Sequence, residues 1–181
     1  MGAWQRLTQR IFRYFFITAD LLTRITYRLS GGRLGRRQAG YSILLLTTRG
    51  RKSGKSRTHA LLYAKAGMDW IVAGSNGGDA RHPHWYLNLL SEPYANIQVG
   101  RQKKVVIARV AAGQERQNLW QNMVDIWPAY ASYQASIVRE IPIIILQSLS
   151  GSEVDLGKDP AENNLQIQPN LATSQITRTE P

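Results

Sequence analysis

The sequence predicts a mainly β, α+β domain: a small antiparallel β-barrel with a few flanking helices. Two observations carry this prediction. Five or six short runs rich in Leu, Ile and Val recur between residues 43 and 146, bounded by Gly, Pro, Asn or Ser, which is the pattern of strands joined by turns. Helical periodicity between them is sparse. The 181 residues suffice for one domain with its own core and fall short of two.

Residues 4 to 29 read as one helix, stopped by Ser30-Gly31-Gly32. At 100° per residue, Leu7, Ile11, Phe15, Leu22, Ile25 and Leu29 fall within about an 80° arc, and Arg6, Arg10, Arg13, Arg24 and Arg28 within about 60° beside it. The later turns are expected to pack on the domain. Trp4 to Phe16, with Phe12 and Phe16 on another side, suit a membrane surface with arginines among the headgroups. Gly32 to Gly40 reads as a basic linker.

The compact domain follows. Ile43-Leu44-Leu45-Leu46 with Thr47-Thr48 reads as a buried strand, and Ala60 to Tyr63 as its returning partner. Trp70 to Ala73 is a third strand, entered by a turn at Gly67-Met68-Asp69. Ser75 to Asp79 has strong turn chemistry. Pro83 opens a short helix over His84 to Leu90, ended by Pro93. Ala95 to Val99 and Lys103 to Val110 form a hairpin around Gly100-Arg101. Gln114 to Trp127 is helical, with Leu119, Met123 and Ile126 on one face. Pro128 breaks it, Ala129 to Val138 is a second helical piece, and Pro142 to Leu146 is a last strand. The division is thus a basic helix and linker over residues 1–37, the barrel over 38–146, and a polar tail over 147–181 too poor in large apolar residues to fold.

The formal net charge of +11 is unevenly placed. Through Arg57 there are 13 Lys and Arg against one acid, Asp20, whereas the remaining residues carry 10 basic and 11 acidic side chains. The basicity is therefore regional and points to a ligand or surface on the N-terminal side. The chain has no cysteine, which excludes disulfides, thiolate metal sites and a cysteine nucleophile. The apolar stretch after Arg13 ends at Asp20, too short for a signal peptide core or a membrane span, so a cytoplasmic location is expected.

The densest charge lies between the first two strands, where Arg49, Arg51, Lys52, Lys55 and Arg57 crowd a loop containing Gly50 and Gly54. Such a loop is stable mainly when an anion neutralises it, and N–H groups near glycines beside Lys and Ser donors suit a phosphate or a polycarboxylate. A solvated hairpin tip is the plain alternative. Ordinary catalytic constellations are missing. His82-Pro83-His84 lacks a third ligand for a metal, Asp69, Asp79 and Asp125 are scattered, and Ser53 and Ser75 lack the setting of an activated nucleophile. Phosphate-friendly loops together with aromatics suit a cofactor that brings its own reactivity. Trp127, Tyr130 and Tyr133, spaced three apart, would share a helix face. The bland reading is a core stripe, but a phenol prefers a partner or water, so the two tyrosines suit a pocket wall.

In this order, Gly50-Arg51-Lys52-Ser53-Gly54, Ser75-Asn76-Gly77-Gly78, His84-Trp85-Tyr86-Leu87-Asn88-Leu89, Trp127-Pro128-Ala129-Tyr130-Ala131-Ser132-Tyr133 and Ile141-Pro142 resemble the deazaflavin (F420)-dependent nitroreductase family. The resemblance covers about residues 38 to 146. It implies a split β-barrel, related to flavin reductases and pyridoxamine-phosphate oxidases, that binds coenzyme F420, a deazaflavin carrying a phosphodiester and a polyglutamate tail. It also implies the site. Arg51, Lys52 and Ser53 match the loop that holds the anionic side chain, and Arg57, Thr58, His59, Ala60, Leu61 and Leu62 match the next stretch of the cleft. Ala73, Gly74, Ser75 and Asn76 match the segment that meets the deazaflavin. His84, Trp85, Tyr86, Leu87 and Asn88 match the helix start that completes the cofactor site, where a positive helix end favours anions. Tyr130, beside the cofactor, and Tyr133, nearer the substrate, match the catalytic tyrosines.

The activity so implied is hydride transfer from F420H2 to a small-molecule acceptor such as a quinone, a nitroaromatic or an enone. A menaquinone-like acceptor is natural where residues 4–29 rest on a membrane. Two rivals stay open: FMN or haem on the same barrel, and a non-enzymatic basic module for anionic lipid or nucleic acid. No specific nucleic acid is expected, and the oligomeric state is left open.

Overall fold

A computed structural model describes residues 22–27, 29, 37–38 and 41–149 of the chain. Its strands are β1 (Arg37–Gln38), β2 (Tyr41–Arg49), β3 (Ser56–Leu62), β4 (Ala64–Ala66), β5 (Asp69–Ala73), β6 (Tyr94–Val99), β7 (Gln102–Val110) and β8 (Ile143–Ser148). Besides a helical segment at residues 22–27 and 29, three helices accompany them: α1 (His84–Ser91), α2 (Gly113–Ile126) and α3 (Ala129–Ser136). All strand pairs are antiparallel. The main path runs β3-β2-β6-β7-β8-β5-β4, with β1 joined to the start of β2.

The two ends of that path, β3 and β4, are consecutive in sequence and joined by Tyr63 alone. A sheet whose opposite edges are one residue apart along the chain must curl until they meet. Tyr63 also donates its N–H to the Ser42 carbonyl at 3.2 Å, fixing the corner. This is the split antiparallel barrel with flanking helices that the sequence predicts.

Alternation along the central strands builds two cores at once. Leu44, Leu46, Trp70, Val72, Ile144 and Leu146 fill the barrel. Ile71, Ala73, Ile143 and Ile145, the intervening residues of β5 and β8, face α2 and α3 and pack with Met123 and Tyr130. Burial on both faces explains the unbroken apolar runs of these two strands.

The expected strands and helices are present, with corrections at the margins. The count is eight strands rather than five or six, because β1 lies inside the expected linker and β4 has only three residues with Lys65 at its centre. Neither has an apolar run to announce it. The last strand continues through Gln147 and Ser148, which pair with Ile107 and Val106, so the tail begins later than predicted. The expectation of an unfolded tail otherwise concerns residues 150–181, outside the described residues.

Residues 22–27 and 29 are helical, and residues 4–21 of the predicted helix lie outside the described residues. This segment packs on the barrel, but not by its apolar stripe: Leu22, Ile25 and Leu29 are exposed, while Thr23 and Tyr27 are buried. The reason is polar. The Tyr27 hydroxyl accepts from the Gly100 N–H at 2.6 Å and lies 3.2 and 3.4 Å from the carbonyls of Ile43 and Gln98. Arg24 donates to the Thr58 carbonyl at 2.8 Å. No helix among the described residues is long and apolar enough to cross a membrane.

Candidate active site

The basic loop is the β2–β3 hairpin. Its turn is closed by Gly54 N–H to the Gly50 carbonyl at 2.7 Å and Gly50 N–H to the Lys55 carbonyl at 2.9 Å. Arg51, Lys52 and Ser53 stand exposed at its tip. The hairpin is held to α1 by Asn88, a buried side chain whose Oδ1 accepts from Arg51 N–H at 3.2 Å and Arg51 Nη1 at 3.3 Å. Asn88 Nδ2 donates to Thr48 Oγ1 at 3.1 Å. An open cleft of about 370 Å³ lies here, lined by Arg49, Gly50, Arg51 and Gly54 on one side and Asn88, Ser91 and Glu92 on the other.

Helix α1 follows Pro83, which supplies no side-chain cap, and has no acid in its first turn. Its positive end is therefore uncompensated by its own residues. Trp85 is buried in the barrel core, and Tyr86 is partly buried against it. The Tyr86 and His82 rings are 5.0 Å apart. His84 is exposed. Tyr86 and Asn88 lie about 200° apart around the helix, so α1 separates the hairpin from a second loop.

That loop is Gly74 to Asp79. Gly74 N–H donates to the Pro142 carbonyl at 2.8 Å, and a Cβ on Gly74 would stand 2.7 Å from Pro142 Cγ, so only glycine allows this approach. A 3-10 turn over Asn76–Gly78 follows, with φ of +53°, +62° and +78° at Asn76, Gly77 and Gly78. Tyr133 packs onto Gly78, where a Cβ would lie 3.1 Å from Tyr133 Cδ1.

Arg139, which no motif or spacing in the sequence marks, gathers the loop. Its Nη2 donates to the carbonyls of Ser75 at 2.7 Å and Asp79 at 3.0 Å, its Nε to Asp79 at 3.1 Å, and its Nη1 to Gly74 at 3.2 Å. Nη1 is also 3.4 Å from His82 Nδ1. The only available signal was position: a cation two residues before the buried Ile141 must find partners. Partial burial, and then the Arg139 charge, push the His82 pKa below its ordinary value, which favours the neutral ring. Partial burial also raises the Tyr86 pKa, against the pull of Arg139.

The tyrosines separate. Tyr130 is buried with its ring 6.4 Å from Trp120 and 6.3 Å from Tyr133. Its phenol is pushed well above the ordinary value, first by burial and then by Tyr133. Its hydroxyl has no hydrogen bond among the described residues, yet it is not a sealed, unpartnered polar atom of the kind that Asn96 Oδ1 is. Trp127 does not share the helix of the tyrosines. It is the C-cap of α2 and meets Tyr41 edge-on at 5.0 Å.

The remaining expected residues divide by strand geometry. Side chains alternate along β3, so residues 57–62 cannot all face one cleft. Leu61 packs against the barrel core and shares its face with Arg57 and His59. Thr58, whose hydroxyl is 2.9 Å from that of Thr47, lies on the opposite face with Ala60 and Leu62. Arg24, Ser56, Arg57, Thr58 and His59 line a second cleft of about 200 Å³. Ala73 is buried under α2 and α3, and Leu87 is partly buried. Among the described residues, no group of three His, Asp or Glu gathers to hold a metal.

The family model described as F420H(2)-dependent quinone reductase matches residues 22–148. The chain belongs to the F420H(2)-dependent quinone reductase family. A relative from Mycobacterium tuberculosis, an F420H(2)-dependent quinone reductase, is 38% identical over 125 residues, 66% of this chain and 83% of its own length. Among solved structures, an F420-H2 dependent reductase is 37% identical with a TM-score of 0.55, covering 58% of this chain and 93% of that one. Another, described as a domain-swapped dimer, is 33% identical with a TM-score of 0.57, covering 72% and 99%. The residues present fit the family's cofactor: a cationic hairpin and an uncapped helix for the anionic tail, and a glycine loop walled by a tyrosine for a flat ring.

Proposed function

We propose that this protein uses reduced coenzyme F420 to reduce a small electrophilic acceptor of the quinone type. The observation that carries the proposal is the placement of α1 between two unlike loops. On one side Asn88 holds the cationic hairpin; on the other, Tyr86 and His82 adjoin the Arg139-bound loop. A helix is about 10 Å across, so an elongated cofactor could reach both across the α1 N-terminus; Arg51 and Lys52 would hold its tail, and Ser75 and Asn76 its ring. When bound, the reduced deazaflavin supplies a hydride from C5 and a proton, which convert a quinone to its hydroquinone.

The protein's own part is binding and orientation. Arg51 and Lys52 hold the tail without touching the reacting atoms. Tyr130, kept protonated by burial, serves as a hydrogen-bond donor to the acceptor oxygen rather than as an acid, because a raised pKa makes the phenol harder to deprotonate. Tyr133 forms the wall beside Gly78.

Fluorescence titrations with F420 and with FMN test the proposal directly. F420 is expected to bind more tightly, and Lys52→Ala to weaken it with little change in saturated turnover. Tighter FMN binding, or no F420H2 oxidation with quinones, nitroaromatics or enones, would overturn it.

The exposed stripe Leu22, Ile25 and Leu29 favours a finer reading, in which the enzyme works in the cytoplasm, peripheral to the inner face of the membrane. A menaquinone-like acceptor would then share its surface. Replacing all three by Gln is expected to abolish co-sedimentation with anionic vesicles while sparing turnover of a water-soluble quinone. Unchanged sedimentation would rule this reading out.

A further inference from the structure

The loop from Gly74 to Asp79 is an unusual structure to find without a cap. Three consecutive residues, Asn76, Gly77 and Gly78, have left-handed backbone, which costs energy at Asn76 and maximal chain entropy at the glycines. Among the described residues two backbone hydrogen bonds close the turn: Gly78 N–H to the Ser75 carbonyl at 3.1 Å and Asp79 N–H to the Asn76 carbonyl at 3.2 Å. Beyond the Gly74 N–H bond to Pro142 and the Asn76 side-chain bond to the Arg81 carbonyl, the carbonyls of the loop are gathered by one side chain. Arg139 reaches the carbonyls of Gly74, Ser75 and Asp79, all within 3.2 Å. Arginine suits this task because its planar fork carries five donors in fixed directions.

The contacts also set where the loop's donors point. A trans peptide places its C=O and the following N–H on opposite sides. With the Gly74 and Ser75 carbonyls drawn to the guanidinium, the N–H groups of Ser75 and Asn76 are turned away from it. Neither N–H has a hydrogen-bond partner among the described residues.

We infer that Arg139 is a positioning residue: by gathering the carbonyls of Gly74, Ser75 and Asp79 it presents the backbone N–H groups of Ser75 and Asn76 as a paired donor site for a carbonyl oxygen of the deazaflavin ring. The inference rests on the functional reading above and deepens it. Arg139 touches neither cofactor nor acceptor; its effect passes through the peptide planes. Arg81, whose exposed side chain pairs with the Asp79 carboxylate at 3.3 Å, does not reach the loop carbonyls and serves as the control.

The full chain and its Arg139→Gln, Arg139→Lys and Arg81→Ala variants are compared by F420 fluorescence titration, by steady-state kinetics and by amide NMR of Ser75 and Asn76. Arg139→Gln is expected to weaken F420 binding and raise KM for F420H2 roughly tenfold or more, as for loss of charge-assisted bonds. Turnover at saturation should hold within about threefold, the split expected when binding geometry alone is lost. Arg139→Lys should fall between, and Arg81→Ala should match the wild type. The Ser75 and Asn76 amide signals should move on F420 addition in the wild type, and much less in Arg139→Gln. If Arg139→Gln fails to fold, the same comparison is read from Arg139→Lys. Wild-type affinity in both Arg139 variants, or unchanged amide responses in them, overturns the inference alone. Failure of the wild type to bind F420 overturns the functional reading with it.

Discussion

Replacing Asn88 by Ala removes the joint between the hairpin and α1, and its cost can be worked out contact by contact. The bond from Nδ2 to Thr48 Oγ1, at 3.1 Å, lies between two buried residues, so losing it costs about 1 kcal/mol, and stranding the Thr48 hydroxyl adds about 1 more. The two Arg51 bonds share one acceptor at 3.2 and 3.3 Å. Arg51 is exposed and regains water, so together they add only about 0.5 kcal/mol. The sum is about 2–3 kcal/mol. Urea unfolding followed by tryptophan fluorescence should show this as a lower midpoint at unchanged slope. Thr48→Val alone should cost about 1–2 kcal/mol by stranding Nδ2, and the double variant should cost about 1 kcal/mol less than the sum of the singles. An Asn88→Ala loss under about 1 kcal/mol, or strictly additive singles, would refute the reasoning.

Three further predictions concern the second loop, Tyr130 and His82. Gly78→Ala should cost about 2 kcal/mol, combining left-handed backbone with a Cβ only 3.1 Å from Tyr133 Cδ1; Gly67→Ala, also left-handed but with nothing within 4 Å, should cost about half that by thermal unfolding. Tyr130→Phe should leave stability within about 0.5 kcal/mol, since no described partner loses a bond, yet lower saturated turnover at least severalfold; unchanged turnover would remove Tyr130 from the active site. The His82 pKa is lowered on folding from an ordinary value of 6.5, so the unfolded chain binds the proton more readily. Stability should therefore decline as pH falls through 6.5 towards the lower folded value and be fully present above it. His82→Gln should flatten that slope in pH-dependent unfolding, and an unaltered slope would count against the assigned neutral ring.

What the sequence displayed and what it concealed follow from the range of the interactions involved. The runs at Leu44 to Leu46, Trp70 to Ala73 and Ile143 to Leu146 were legible because burial on one or both strand faces writes itself into local composition. Over residues 22–27 and 29 the apolar stripe does not mark the buried face, because hydrophobic periodicity ignores hydroxyls, and Tyr27 docks through hydrogen bonds to Ile43, Gln98 and Gly100. Tyr130 and Tyr133 were placed on one helix by their spacing, but spacing does not measure depth, and Tyr130 lies in the core while Tyr133 lines the loop. Trp127 fell out of that series because Pro128 ends α2 there. Arg139 was invisible because its partners are backbone carbonyls of a distant loop, which any sequence could supply.

The position of β8 has a consequence for how the chain is made. The last strand in the described sequence is not at an edge: it sits in the middle of the sheet between β7 and β5. Local hairpins such as β2–β3 and β6–β7 can form within microseconds of becoming available. The pairing of Ile71 with Ile145 must wait for nearly the whole domain to leave the ribosome. Until then β5 and β7 each present an unpaired apolar edge, a template for pairing with another chain. Chains stopped before Ile143 should aggregate rather than form a smaller barrel, and adding a peptide of residues 141–149 during refolding should suppress that aggregation.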